Sequence, residues 1–407
     1  VGESRHLVRF LHLDGTLYAF KEEPLAVARR EFAVLRRLEE AHLPAVRPVA
    51  LAERPTGQER GTAMVVTEYL RHGLQYRRLL GRIPAGPSAY RDRLLDAMAW
   101  LLVALHQGGV FWGDCSLANT LFRRDGDRIQ AYLVDAETAE VHPSLSPGQR
   151  RHDLAVLEEN LAYGLADIAL AQGRPDLTDE AVEAAHGVVA RYEALWDELH
   201  GETEIPAGDL HAVRRRIRRL NQLGFAVDEI ELVPSATDRT VRLRVAVSDR
   251  SFHADELRRL TGLVALEHQA RHLLNDLREY RAQLEVREGR PVGEAEGAER
   301  WLAEILTPTL ARLAHALGEE RDLLQTYCDL LEHKWWRSEE AGHDIGLAAA
   351  IESYLAIGAP APEAEVAQEL AAPDAGQPAP DLDAGQPAPD LELAIDWRFA
   401  DLGRQGG

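Results

Sequence analysis

The first periodicity along the chain is a two-residue one. From His6 to Lys21, L-V-R-F-L-H-L-D-G-T-L-Y-A-F-K alternates on both sides of Asp14-Gly15, a dipeptide suited to a tight hairpin turn, and predicts two short strands. The period then becomes helical. Leu25, Ala28, Phe32, Leu35 and Leu38 recur at helical spacing over residues 24 to 41, with Pro24 near the first turn. T-A-M-V-V-T-E-Y-L, 62 to 70, predicts a strand, and Tyr90 to His106 a helix with an apolar stripe. L-A-N-T-L-F and I-Q-A-Y-L-V-D read as two further short strands before helices from about Pro147 to Leu199. A small sheet-rich part therefore precedes a mostly helical one.

A second unit is expected from near Ile205-Pro206. Its first helix, Asp209 to Leu223, ends at Gly224 and leads to the strand patterns D-E-I-E-L-V and T-V-R-L-R-V-A-V. Helices are then predicted over roughly 253 to 286, 298 to 317 and 320 to 357, an α+β pattern. From about Ala359 the composition changes: the final 49 residues hold ten acids against two arginines, and D-A-G-Q-P-A-P-D-L occurs in tandem at 374 to 382 and 383 to 391. A Pro-rich acidic segment of this kind buries too little apolar surface to offset its ordering entropy, so a disordered tail is expected. Within it L-A-I-D-W-R-F, 393 to 399, has the apolar content to dock as a short peptide.

Composition narrows the function classes. The 407 residues allow two or three domains, and 45% hydrophobic content is that of a globular protein. With 67 acidic against 46 basic residues the net charge is −21, which argues against general attraction to nucleic acid or anionic membranes. Cys115 and Cys328 alone cannot form a disulfide framework, and a reducing, cytoplasmic compartment is expected. No run of about twenty uncharged apolar residues exists; even Leu94 to Trp112 contains Asp96 and His106. The chain opens at Val1 without a basic-then-apolar leader and is expected to begin inside a longer protein.

One stretch resists a structural explanation. W-G-D-C-S-L-A-N-T-L-F, 112 to 122, puts an aspartate, a serine and an asparagine between apolar runs, and burying such groups unpaired costs several kcal/mol. Phosphoryl transfer from ATP needs a cation on the nucleotide phosphates, a carboxylate near the attacking hydroxyl, and oxygen ligands for Mg²⁺. The chain supplies them in order: Lys21 ends the second strand, Glu31 lies on the following helix, Asp114 and Asn119 are five positions apart, and Asp135 ends L-V-D.

This order resembles the protein-kinase-like superfamily. The resemblance implies a bilobal fold, with a small β-rich N-lobe over 1–70, lacking its first strand, and a helical C-lobe over 71–203. A smaller, mostly helical α+β domain over 204–358 and the tail over 359–407 would follow. It also implies roles: Lys21 on the α and β phosphates and paired with Glu31, Asp114 orienting and deprotonating the acceptor, and Asn119 and Asp135 on Mg²⁺. Thr67, Glu68, Tyr69 and Leu70 would form the hinge against which adenine stacks, and Asp153, in R-H-D-L-A, would anchor the catalytic loop.

Gly113 stands where regulated protein kinases carry arginine, Ser116 replaces a typical lysine, D-A-E replaces D-F-G, and only 18 residues separate Asp135 from Asp153. These features resemble the lipopolysaccharide-kinase and aminoglycoside-phosphotransferase branch. V-G-E-S-R-H resembles the tail of a glycine-rich loop. Together with I-R-R-L-N-Q-L-G-F and E-H-K-W-W-R-S-E-E-A-G-H-D-I-G, the chain resembles uncharacterised actinobacterial proteins that fuse a lipopolysaccharide-kinase-like domain to a C-terminal domain of unknown function. The expected function is an ATP- and Mg²⁺-dependent phosphotransferase acting on a hydroxyl of a small molecule, glycan or envelope lipid. The alternative is a pseudokinase, a nucleotide-binding or scaffolding module that meets a protein partner through its C-terminal domain or tail.

Four features outside this set read as structural. The arginine run 214, 215, 216, 218 and 219 is taken as a solvated or internally paired face rather than a nucleic-acid surface, and Trp335 and Trp336 as packing between the two domains. His333 and His343 lack partners at zinc-ligand spacing, and Cys115 is taken as a small packing residue.

Overall fold

The computed structural model describes residues 8–54, 61–80, 86, 88–206, 208–225, 227–234, 240–247, 250–318, 321–360 and 398–399. The first hairpin joins β1 (Val8–Leu13) to β2 (Thr16–Pro24), with Val8 opposite Lys21 and Leu13 opposite Thr16. Both turn residues have positive φ, Asp14 at 48° and Gly15 at 79°, the geometry that suits the right-handed strand twist. α1 (Leu25–Glu40) follows at once, and β3 (Pro48–Glu53) and β4 (Thr62–Glu68) complete the sheet. A two-residue strand, β13 (Arg398–Phe399), adds to the β3 edge, giving the order β1-β2-β4-β3-β13. The buried stripe of α1 is Ala28, Phe32, Val34, Leu35 and Leu38, and Glu31 lies within it.

The helical part begins with the short β5 (Leu74–Gln75) and α2 (Tyr76–Leu80) and centres on α3 (Ala89–Gln107). Ser88 accepts a hydrogen bond from the Arg91 amide and starts α3, whose last half is buried almost all round. β6 (Val110–Phe111), β7 (Thr120–Asp125), β8 (Arg128–Leu133) and β9 (Glu140–Val141) follow; β5, β7 and β8 form one small sheet and β6 pairs with β9. α4 (Pro147–Ala171) opens with a capping box between Ser146 and Gln149, with Pro147 in the first turn. α5 (Thr178–His200) packs on α3 and α4.

β10 (Thr203–Pro206), α6 (Leu210–Gln222), β11 (Val227–Pro234) and β12 (Thr240–Val247) come next, with sheet order β10-β12-β11. Ile205, Leu220, Phe225, Leu243 and Val245 join the same apolar core as α3 and α5, and Phe225 meets Trp100 edge to face at 5.3 Å. A second core starts at Leu257 and is built by α7 (Phe252–Thr261), α8 (Glu267–Glu288), α9 (Glu294–Trp301), α10 (Thr307–Leu317), α11 (Leu323–Ala341) and α12 (Gly346–Ala356).

The structure breaks two helices expected to be continuous. Gly262 adopts φ 75° and separates α7 from α8, while Gly342 at 70° and Gly346 at 76° separate α11 from α12. Left-handed backbone of this kind ends a helix and favours glycine. The helix expected over 298 to 317 is continuous but carries a π-helical turn at Leu302–Leu306. Pro308 has no amide to bond the carbonyl four residues back and its ring crowds that turn, which accounts for the wider register.

Trp335 and Trp336 do not join the domains. They are 56% and 54% exposed on α11, packed edge to face on each other at 4.8 Å. Their side chains fall on the solvent side of a helix whose buried face is spent on Tyr327, Cys328 and Leu330. In α6, Arg216 and Arg219 pair with Glu198, and Arg214, Arg215 and Arg218 point to solvent. His333 bonds Ser353 at 2.8 Å, and both cysteines are buried and free. No helix among the described residues is long and apolar enough to cross a membrane. Residues 1–7, where a loop remnant was expected, and the acidic tail beyond residue 360, apart from Arg398 and Phe399, lie outside the described residues.

Candidate active site

Strand alternation sends Lys21 and Glu23 of β2 to one face, towards the buried side of α1. The Lys21 ammonium lies 2.6 Å from Glu23 Oε1, 3.2 Å from Glu31 Oε2 and 3.1 Å from Asp135 Oδ1. Glu23 and Glu31 are shut off from solvent, whereas Asp135 remains a third exposed. Glu31 Oε1 also accepts from the Ala136 amide at 3.3 Å, so one carboxylate ties the strand lysine to the loop after β8. Burial works against the Lys21 charge, yet Glu31, Asp135 and Glu23 together hold its pKa above the ordinary lysine range. Burial pushes Glu31 up to about 8, against the downward pull of Lys21. Even with Glu31 holding its proton, the carboxyl groups of Glu23 and Asp135 outnumber the one ammonium they share.

The Glu31 shift sets a pH dependence. Its folded-state value lies above the ordinary 4.5, so between pH 4.5 and about 8 the folded protein holds the extra proton and stability falls as pH rises. Thermal melting of the ligand-free protein from pH 6 to 8 should show a steeper fall in wild type than in Glu31→Gln. Parallel curves would mean that Glu31 does not titrate in this window.

The polar loop is held from behind. Asp153 of α4, fully buried, accepts from the Trp112 amide at 2.8 Å and the Gly113 amide at 2.8 Å, and its Oδ2 lies 3.1 Å from His106 Nε2. His106 Nδ1 lies 2.8 Å from the Tyr192 hydroxyl. A neutral imidazole that donates through Nε2 to the carboxylate and accepts from the tyrosine satisfies both contacts. Burial lowers the His106 pKa, which favours that neutral form. Thr138 Oγ1 donates to the Trp112 carbonyl at 2.8 Å, and Asn160 Nδ2 to the Cys115 carbonyl at 2.8 Å. Gly113 has φ 80°, and a Cβ there would stand 3.2 Å from the Thr138 carbonyl oxygen, so the glycine before Asp114 is a steric requirement.

So fixed, the loop presents Asp114 to solvent. Asn119 Nδ2 donates to Asp114 Oδ2 at 3.0 Å and to its backbone carbonyl at 3.2 Å. The Val134 amide donates to the Asn119 carbonyl at 3.0 Å, which brings the Asn119 and Asp135 segments side by side. Asp135 Oδ1 takes Lys21 and the Glu137 amide, and its Oδ2 accepts no hydrogen bond among the described residues.

Thr67, Glu68, Tyr69 and Leu70 lie at the end of β4 and the crossover that follows. Two amides there are already engaged, Glu68 with the Arg47 carbonyl at 2.9 Å and Tyr69 with the Leu17 carbonyl at 2.8 Å. The Tyr69 ring meets Phe10 of β1 edge to face at 5.7 Å. Lys21, Glu31 and Asp135 are thus in direct contact, Asp114 and Asn119 form a neighbouring pair, Asp153 supports the loop from below, and residues 67–70 stand at the junction of sheet and helices.

Sequence reasoning missed Glu23, His106, Tyr192, Thr138 and Asn160. Glu23 had a readable signal, since a residue two after Lys21 on a strand shares its face. His106 closes a wholly apolar helix end, where a polar ring needs a partner, but Tyr192 lies 86 residues away and nothing local points to it.

Two family models match the chain. Residues 10–186 match the model of the lipopolysaccharide kinase (Kdo/WaaP) family, and residues 194–357 match that of DUF4032, a domain of unknown function. Lipopolysaccharide core heptose(I) kinase WaaP of Pseudomonas aeruginosa is 28% identical over 140 residues, 33% of this chain and 52% of that protein. The chain thus spans about half the length of this curated relative. A solved structure of WaaP in complex with acyl carrier protein is 22% identical, with a TM-score of 0.34 over 49% of this chain and 86% of that one. The chain therefore joins a kinase-like domain of the lipopolysaccharide kinase (Kdo/WaaP) family to a C-terminal DUF4032 domain.

Proposed function

We propose that this protein is an ATP- and Mg²⁺-dependent phosphotransferase acting on a hydroxyl of a small molecule, glycan or envelope lipid. The observation that carries the reading is the Lys21 cluster, in which one ammonium spans β2, α1 and the loop after β8 through Glu31 at 3.2 Å and Asp135 at 3.1 Å. In this reading residues 1–70 form an N-lobe, 71–203 a C-lobe and 204–358 a separate C-terminal domain.

The donor set fits a divalent cation beside a nucleotide. The excess of carboxylate around Lys21 calls for positive charge, and Asp135 keeps one oxygen without a partner among the described residues. Asn119 and Asp135 would hold Mg²⁺, which when bound neutralises charge on the transferring phosphoryl group. Lys21, held between Glu31 and Asp135, binds phosphate oxygens. Residues 67–70 receive the base. Asp114, aimed by Asn119, takes the proton of the acceptor hydroxyl as its oxygen attacks the γ-phosphorus; the bond to the β–γ bridging oxygen breaks and ADP leaves. Asp153 and His106 touch no reactant and keep the Trp112–Gly113 backbone in the shape that presents Asp114.

The test is incubation of the full chain with labelled ATP, Mg²⁺ and fractionated cell extract. A labelled product that disappears with Asp114→Asn is expected. Nucleotide binding without transfer to any fraction would replace this reading with that of a nucleotide-binding scaffold.

A further inference from the structure

The β7–β8 hairpin connects the two proposed metal ligands. Asn119 immediately precedes β7 and Asp135 follows β8 by two residues, while the tip, Asp125 opposite Arg128, lies roughly 17 Å away along six strand residues. That tip is gripped by the C-terminal domain. Gly126 exchanges two hydrogen bonds with the Gln325 amide, its N–H donating at 2.8 Å and its carbonyl accepting at 2.9 Å. Arg124 makes a bidentate pair with Asp329, both contacts at 2.7 Å, and Arg123 reaches Asp322 at 2.6 Å. The Asp125 carboxylate, buried, accepts from the Gln269 amide at 2.8 Å. A Cβ on Gly126 would sit 2.8 Å from the His272 ring, so the turn closes against α8 with no room for a side chain.

These contacts go beyond general domain packing. Beyond the short pairing of β5 with Leu121 and Phe122 the hairpin is a two-stranded ribbon, and its buried carboxylate and turn amide find partners on α8 and α11. Paired charges and a reciprocal amide contact define one register, which apolar packing alone would not. β5, which follows the 67–70 crossover, also bonds to this ribbon, Leu74 opposite Phe122.

We infer that the C-terminal domain positions the metal-binding end of the kinase-like domain: Gln325 and Asp329 of α11 hold the β7–β8 hairpin, and the hairpin holds Asn119 and Asp135 in register. The inference rests on the phosphotransferase reading and gives the C-terminal domain a role in the same site. Gln325 and Asp329 are positioning residues: they grip the hairpin tip at Gly126 and Arg124, at the end opposite Asn119 and Asp135.

The test uses the full chain with Gln325→Ala, Asp329→Ala and Asp329→Glu, and calorimetry of ATP with and without Mg²⁺. Both alanine variants should weaken Mg²⁺-dependent binding by about tenfold, within the range for coupling carried through a contiguous packed element, with metal-free ATP binding within about twofold of wild type. Asp329→Glu should recover most of the loss, which a general packing defect would not predict. Melting curves identify the folded variants; should Asp329→Ala not fold, Gln325→Ala, which removes a neutral amide, carries the test. Mg²⁺-ATP binding equal to wild type in a folded alanine variant overturns the inference and leaves the phosphotransferase reading standing. Wild type that binds no nucleotide overturns both.

Discussion

Asp135→Asn should abolish the Mg²⁺ dependence of nucleotide binding, whereas Asp114→Asn should leave binding nearly intact and stop transfer. The two carboxylates are close along the fold but differ in surroundings. Asp135 meets Lys21 at 3.1 Å and keeps an oxygen for a cation; its neutral amide would lose one of the charges that bind Mg²⁺. Binding of Mg²⁺-ATP should weaken by at least the roughly 10- to 100-fold that an outer-shell loss costs a metal site. Among the described residues Asn119 is the one side chain that hydrogen-bonds Asp114, which faces solvent and is open to an acceptor hydroxyl. Its change to Asn should lower transfer by about 10²- to 10⁴-fold, the span of a general base. Calorimetry and product formation, measured on both variants, separate the two roles. Equal loss of binding in both would mean that the loop acts as one unit.

The second large effect is structural. Asp153→Ala should destabilise the kinase-like domain by roughly 3–5 kcal/mol, because the buried Trp112 and Gly113 amides and the His106 ring would lose one shared acceptor. At about 2–4 °C per kcal/mol for a domain of this size, melting should fall by roughly 10 °C. Asp153→Asn keeps the shape and one acceptor oxygen and should fall between the two. A melting temperature within about 2 °C of wild type in Asp153→Ala would mean that the loop is held by other contacts, such as the Thr138 bond to Trp112.

Much of this site was legible because it depends on local order. A lysine near the end of a strand, a glutamate on the next helix and an aspartate after L-V are placed by short-range periodicity; β2 runs three residues past Lys21, to Pro24, and the structure brings Lys21, Glu31 and Asp135 into contact. Glu23 escaped notice because F-K-E-E reads as a charged strand end; its burial comes from α1 closing over β2. The strand Pro48–Glu53 was missed for a related reason. P-V-A-L-A-E is short and begins with proline, and it becomes a strand only by pairing with β4. The two-residue strands β5, β6 and β9 have no sequence pattern at all and exist through tertiary pairing.

The long-range polar contacts were beyond reach of any local reading. Arg124 and Asp329 are separated by 205 residues, and R-R-D-G-D looks like an ordinary solvated turn. Helix breaks at Gly262 and Gly342 were hidden by the apolar periodicity running through them, which registers the buried face but not the backbone angle. Trp335 and Trp336 were misplaced by the general rule that large rings supply core area; their neighbours on α11 had already filled that face.

The most direct test of the account is calorimetric titration of ATP into the full chain, once with Mg²⁺ and once with chelator. The Lys21 cluster and the open oxygen of Asp135 predict binding that tightens at least about tenfold when Mg²⁺ is present. Absence of binding under both conditions would contradict it.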